Sequence, residues 1–242
     1  MFLFYSLFLS LWIPFEQTSL TKINNSLVDL STMNSQSSNN LKRIVIKNAH
    51  FYYEGTNTRV RFFGTNVCYD NSFPDKSLSM GIAQRLSQIG INVVRFHHMD
   101  NYNIWNQDQT ALSKVALDKL HYFIYCLNQN GIYANINLHV SRVYKHEAFS
   151  KELQGIFLFG KSLDRFFEPF IQDQIQYARD LLGSYNNYTK YKISEDPGIA
   201  FIELNNENSI FDVIKNIERI RGTVFYDSLL FQWQNYLKEK FK

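Results

Sequence analysis

Cysteine, net charge and long apolar runs are all scarce in this 242-residue chain, and each scarcity excludes something. The two cysteines, Cys68 and Cys126, are too few for a disulfide framework and show none of the spacings of a zinc site. One falls at an expected strand end and the other on an expected helix, both in apolar surroundings, so they read as buried thiols. Net charge is only +3, with acidic and basic residues interspersed, which removes the electrostatic footprint of a nucleic-acid binder and leaves neutral ligands open. Residues 2 to 15, FLFYSLFLSLWIPF, form an uncharged apolar run. It is shorter than the ~20 residues of a membrane-spanning helix, so no stable membrane insertion is expected. Its length suits the core of a secretory signal peptide, although no Lys or Arg precedes it and no small-x-small cleavage site follows. The sequons Asn24-Asn25-Ser26 and Asn187-Tyr188-Thr189 are compatible with a secreted or extracellular destination.

What the chain does have is core material. It is 45% hydrophobic and 16% aromatic, with 21 Phe and 15 Tyr, enough for one large domain rather than two. Most of these rings are expected in the interior, and the rest can serve as flat platforms for ligands.

Composition divides the chain into an apolar segment 1–15, a Ser/Asn-rich flexible leader 16–40 and a folded region 41–242. Ile44-Val45-Ile46 and His50 to Tyr53 predict two short strands of an N-terminal hairpin, with a turn at Glu54 to Asn57 before Val60. Four strands are then predicted to alternate with helices: Arg61 to Cys68, Ile91 to His97, Ile132 to Val140 and Ile199 to Asn206. Leu78, Ile82, Leu86 and Ile89 recur at helical spacing before Gly90, and Leu117, Leu120, Ile124 and Leu127 do so before Gly131. The phrases Gln88-Ile89-Gly90-Ile91 and Gln129-Asn130-Gly131-Ile132 echo one another, each leading into an apolar strand with a polar end. Such a repeated unit argues a parallel βαβ series. A third helix is predicted from about Leu163 to Leu182, its regular part starting near Pro169. A last one runs from Asp227 to Lys242 with a basic C-terminal end that suits its dipole.

The chemistry-bearing residues collect at the strand ends. The fourth strand runs into Asn205-Asn206-Glu207-Asn208, and a carboxylate among amides at the C-terminal end of a buried strand is where a (β/α) barrel places catalytic groups. The first strand carries Arg61-Phe62-Phe63-Gly64-Thr65-Asn66, the second Arg95, His97 and His98, and the third Asn137 and His139, with Arg142 just beyond. Arg95 lies in mid-strand, where a guanidinium needs a partner, whether an internal ion pair or a catalytic carboxylate. His97 and His98 are adjacent and, on a regular strand, point to opposite faces. A metal site made of one of them with Asp100 and His139 lacks a sufficient ligand set, so no metal or cofactor is called for. Glu203, Asn205 and Glu207 share one face of an ideal strand and Asn206 the other, so the strand has to twist or bulge for Asn206 and Glu207 to reach one cleft.

Taken together, these strand ends resemble glycoside hydrolase family 5 of clan A. The likeness lies in a first strand of the form R-F-aromatic-G-x-N, a second ending V-V-R-F, a third ending L-H, the link Glu195-Asp196-Pro197 and the Asn206-Glu207 pair. It covers roughly residues 43 to 242. It implies an α/β fold of the (β/α)8 TIM-barrel type, with only the first four β/α units present behind the N-terminal hairpin. It also implies a retaining hydrolase of β-linked glucan or mannan. Glu207 would be the general acid/base and Asn206 the donor to the sugar 2-hydroxyl. Arg95 would hold the nucleophile ionised, His139 would line the subsite at the cleaved bond, and His98 and Asn66 would shape the sugar-binding cleft. A retaining mechanism needs a second carboxylate, placed by the resemblance on a seventh strand. After Glu207 the remaining glutamates are Glu218 and Glu239, both in helical surroundings. The chain therefore reads as the first half of a barrel, inactive alone. A non-catalytic carbohydrate-binding remnant, or a half-barrel that pairs with another chain or with itself through its open edge, is the alternative.

Overall fold

The structure is a computed structural model that describes residues 22–24, 26, 28–34 and 41–241. The apolar run 2–15 and much of the Ser/Asn-rich leader lie outside the described residues.

The first two strands, β1 (Ile44–Lys47) and β2 (His50–Tyr53), pair antiparallel with Ile44 opposite Tyr53. Their two-residue turn has φ of 50° at Asn48 and 59° at Ala49, the left-handed pair that matches the twist of a hairpin. Phe51 from this hairpin packs edge-on against Phe62 and Phe201 at centroid distances of 5.7 and 5.2 Å. Tyr133 donates its hydroxyl to the carbonyl of Lys42 at 2.7 Å. The hairpin thus closes the N-terminal end of the sheet.

That sheet has four parallel strands in the order β3 (Gly64–Cys68), β4 (Val93–His97), β5 (Tyr133–Asn137) and β8 (Ile199–Glu203). Helices α1 (Lys76–Gln88), α2 (Lys114–Gln129), the short α3 (Lys151–Ile156) and α4 (Glu168–Gly183) fall between them, with a minor hairpin of β6 (Tyr185–Asn186) and β7 (Tyr191–Lys192) before β8. Two short helices, α5 (Phe211–Lys215) and α6 (Ile217–Ile220), then lead into α7 (Val224–Lys240).

Alternation along the strands separates two environments. Val94, Phe96, Ala134 and Ile136 are buried against Phe123, Ile124 and Leu127 of α2 and Leu181 of α4. The intervening residues, Asn66, Arg95, His97, Asn135 and Asn137, lie on the concave face. In β8 the pairing jumps from Ala134 opposite Ile199 to Asn135 opposite Phe201. This bulge skips Ala200 and puts Phe201 and Glu203 on the concave face too.

The strands are shorter than their apolar runs predict. β3 starts at Gly64 rather than Arg61, β5 stops at Asn137 rather than Val140, and β8 stops at Glu203 rather than Asn206. Past β5, Val140 and Ser141 give their amides to the Asp100 carboxylate, not to a neighbouring strand. Leu163–Arg165 forms a separate turn ahead of α4, whose first turn holds Pro169. A second core, absent from the periodicity, is built from Tyr144, Phe149, Phe157, Phe166, Phe167 and Phe170 with Phe225 of α7. Part of the leader is tied down: buried Asn34 donates to Ser87 Oγ at 3.1 Å and to the carbonyl of Ile91 at 2.8 Å.

Candidate active site

A charged lattice occupies the C-terminal end of the concave face. Arg95 donates through Nε and Nη2 to the two oxygens of Glu203, each at 2.7 Å, and Nη2 also donates to Asn206 Oδ1 at 2.9 Å. Asn135 and Asn137 donate to the same carboxylate at 2.6 and 2.9 Å. The bidentate fork is the strong form of such a pair. Arg95 holds the Glu203 carboxyl below its ordinary range against an opposing effect of burial, and Glu203 raises the guanidinium in return. Arg95 is thus an internal ion-pair residue here, and its partner is a glutamate that the strand pattern left without a role. The signal that could have found Glu203 was its period-two spacing with Asn205 and Glu207.

Glu207 stands beside this lattice, close enough for its charge to act on Arg95 and His98. It is exposed, and its carboxylate makes no hydrogen bond among the described residues. Its φ is +46°, and this left-handed residue, not a twist in β8, turns the chain after Asn206. Asn66 lies on the adjacent strand, opposite Arg95 in the register.

His98 has φ +59°, which returns its ring to the side of His97; the two rings are 4.2 Å apart rather than on opposite faces. The His98 ring also stacks on Tyr69, with centroids 4.4 Å apart. Burial, followed by the charge of Arg95, lowers His97 to about 4, so it is neutral near pH 7. His98 is lowered as well, chiefly by burial.

His139 is not brought to the cleft. It is 3% exposed; its Nε2 bonds Asp164 at 2.5 Å and its Nδ1 lies 3.3 Å from Asp100. The chain leaves β5 before His139, so the ring turns into the interior between two buried carboxylates. Burial alone would lower its pKa, but the bonds to Asp100 and Asp164 outweigh it and the net shift is upward. Asp100 itself accepts the amides of Val140 and Ser141 at 2.8 and 2.9 Å, which commits it to backbone rather than to a ligand. Among the described residues no group of three or more His, Cys, Asp or Glu side chains is arranged to hold a metal ion.

The C-terminal end of this parallel sheet thus brings together a bidentate Arg95–Glu203 pair, Asn206 and, among the described residues, an exposed Glu207 without a hydrogen-bond partner. The cellulase family model, glycosyl hydrolase family 5, matches residues 53–189, more than half of the chain. The chain belongs to glycosyl hydrolase family 5. Among solved structures, this family-5 chain is similar to the endo-1,4-beta-mannanase from Rhizomucor miehei, at 19% identity and a TM-score of 0.53, over 69% of this chain and 48% of that one. It is also similar to a glycoside hydrolase family 5 mannosidase from Rhizomucor miehei, at 13% identity and a TM-score of 0.51, over 70% and 49%. The likeness is one of fold: the four β/α units are part of a TIM-type barrel. The chain spans about half the length of these structures. No curated protein matches it.

Proposed function

We propose that this family-5 chain carries the acid/base half of a retaining glycosidase acting on β-linked glucan or mannan. The observation that carries the proposal is the unbonded Glu207 carboxylate standing next to the Arg95–Glu203–Asn206 lattice. A carboxyl so placed can protonate the leaving glycosidic oxygen and then, as carboxylate, draw a proton from water. Asn206 would face the sugar 2-hydroxyl, and Asn66 and His98 would wall the cleft.

A retaining mechanism needs a second carboxylate ~5–5.5 Å from the first. Glu203 is unsuited to attack a sugar, because both of its oxygens are taken by Arg95, Asn135 and Asn137. The nucleophile would therefore come from barrel strands other than these four. The same observation supports a second reading, a carbohydrate-binding half that acts only with a partner chain. A secretory route belongs to the proposal through the apolar run 2–15. No helix among the described residues is long and apolar enough to cross a membrane.

The test is Glu207→Gln in a form that turns over mannan or glucan oligosaccharides. Hydrolysis should fall by about 10²- to 10⁴-fold, the usual contribution of a positioned acid/base, while sugar affinity changes little, because the amide keeps the shape of the side chain. Unchanged turnover would remove Glu207 from the mechanism.

A further inference from the structure

Among the described residues nothing bonds to the Glu207 side chain, yet its backbone sits at φ +46°. For a residue other than glycine that conformation is strained, and it persists only where the surroundings over-determine it. The constraints lie on its two neighbours. On the N-terminal side the Asn206 amide donates to the His139 carbonyl at 2.9 Å. On the C-terminal side the Asn208 carboxamide is fully used: its Oδ1 accepts the Ser162 amide at 2.8 Å and its Nδ2 reaches both oxygens of Asp164 at 2.9 Å. Arg165 Nη2 adds a bond to the Asn208 carbonyl at 3.0 Å, and Ser162 Oγ donates to the carbonyl of Ser209.

These bonds close a circuit. Asp164 takes the His139 ring at 2.5 Å, and the His139 carbonyl holds the amide of Asn206. The loop from Asn206 to Asn208 is thus gripped at both ends by one buried ion pair. On the far side of the ring, Asp100 ties His139 to the backbone of Val140 and Ser141. His139 and Asp164 are each 3% exposed and Asp100 is fully buried, so the bonds act in a medium of low dielectric, where each is stronger and an unpaired member is costly. Both ring nitrogens of His139 face carboxylates, an arrangement that favours the imidazolium.

We infer that Asn208, Asp164 and His139 form a clamp that fixes the left-handed turn at Glu207 and thereby aims its carboxyl. They are positioning residues, and their part in catalysis rests on the acid/base function proposed above for Glu207. His139 serves the site through its carbonyl and its charge, not by touching sugar.

The experiment uses the 242-residue chain and two readouts that need no turnover: amide hydrogen exchange and the nitrogen resonances of the His139 ring. Wild-type His139 should show two protonated ring nitrogens. Asn208→Ala should speed exchange at the Ser162 and Asn206 amides by about tenfold or more, local opening being set by the bonds that hold a segment, and leave Val94 and Phe96 of β4 unmoved. Asp164→Asn can still bond Asn208 through its oxygen and His139 through its nitrogen, now to a neutral ring. It should therefore preserve protection at Ser162 and Asn206 while His139 falls to one protonated nitrogen. Glu207→Gln should leave every one of these signals in place, so a failure of the proposed chemistry at Glu207 would show in hydrolysis and not here. Exchange at Ser162 and Asn206 that ignores Asn208→Ala, acceleration spread equally over β4, or a singly protonated His139 in the wild type would overturn the clamp.

Discussion

At the scale of single residues, two histidines within the same few strand ends are driven in opposite directions. Burial and then the Arg95 charge lower His97 to about 4, so the folded state binds its proton less well than the unfolded chain does. His97 therefore costs no stability above the ordinary histidine value of ~6.5, and the cost grows as pH falls from there towards 4. His139 is raised: burial opposes its charge, but the hydrogen bonds to Asp100 and Asp164 prevail. Its contribution is fully present below ~6.5 and is lost as pH rises through the folded value. Urea midpoints measured across this range should lose part of their acid-side slope in His97→Gln, since His98 and His121 are lowered too, and part of their alkaline-side slope in His139→Gln. An alkaline limb for His139→Gln that parallels the wild type would show that the imidazolium adds no stability. The different fates of these two rings mark the limit of what residue spacing conveys. Position in the strand placed Arg95, Asn206 and Glu207 together at one end of the sheet. It could not show that His139 lies past the end of β5 and turns inward, because that depends on Asp100 and Asp164, which belong to loops without periodicity. Nor does the string Asn206-Glu207-Asn208 announce a left-handed glutamate.

At the scale of elements, the repeated helix–glycine–strand phrases were sufficient to predict four parallel strands and the helices between them, since each strand is apolar on the helix side and each helix has one apolar face. The excursion from Val140 to Phe167 was not predictable in this way, because its aromatic residues follow neither period and find their partners across distant segments, Phe225 of α7 among them. Its tightest point is Gly160, at φ +66°, where an added Cβ would lie 2.6 Å from the Tyr144 ring and 3.1 Å from Phe170. Tyr144 cannot give way easily, since it is stacked on Phe170 at 3.9 Å and buried. Gly160→Ala combines backbone strain with overpacking, effects that together cost about 2–4 kcal/mol. Because Ser162 and Asp164 follow directly, the loss should appear both in thermal melting and in faster exchange at the Ser162 amide. A melting temperature equal to the wild type would mean that the turn rearranges at little cost.

At the scale of the whole molecule, the four-stranded sheet leaves β3 and β8 each with a single neighbour among the described residues. An unpaired parallel edge presents a row of amides and carbonyls that invites another strand. Apolar side chains are exposed as well: Leu204, just after β8, is 76% exposed, Phe211 66% and Phe231 63%. A closed barrel would cover both features, and exposed apolar area of this kind drives association. The chain on its own should therefore sediment as dimers or larger species rather than as a monomer. The same open side predicts weak catalysis, because the Glu207 carboxyl would have no carboxylate opposite it to stabilise the positive charge that develops on the sugar. Sedimentation velocity and hydrolysis of an aryl β-glycoside, measured on one preparation, test both expectations. Association without turnover is the expected outcome, and adding a chain that supplies further barrel strands should dissolve the self-association and bring hydrolysis with it. A monomer that turns over at about 1 per second or faster, within the ordinary enzyme range, would require a second catalytic carboxylate within these four β/α units. Glu203 would then be the first residue to replace.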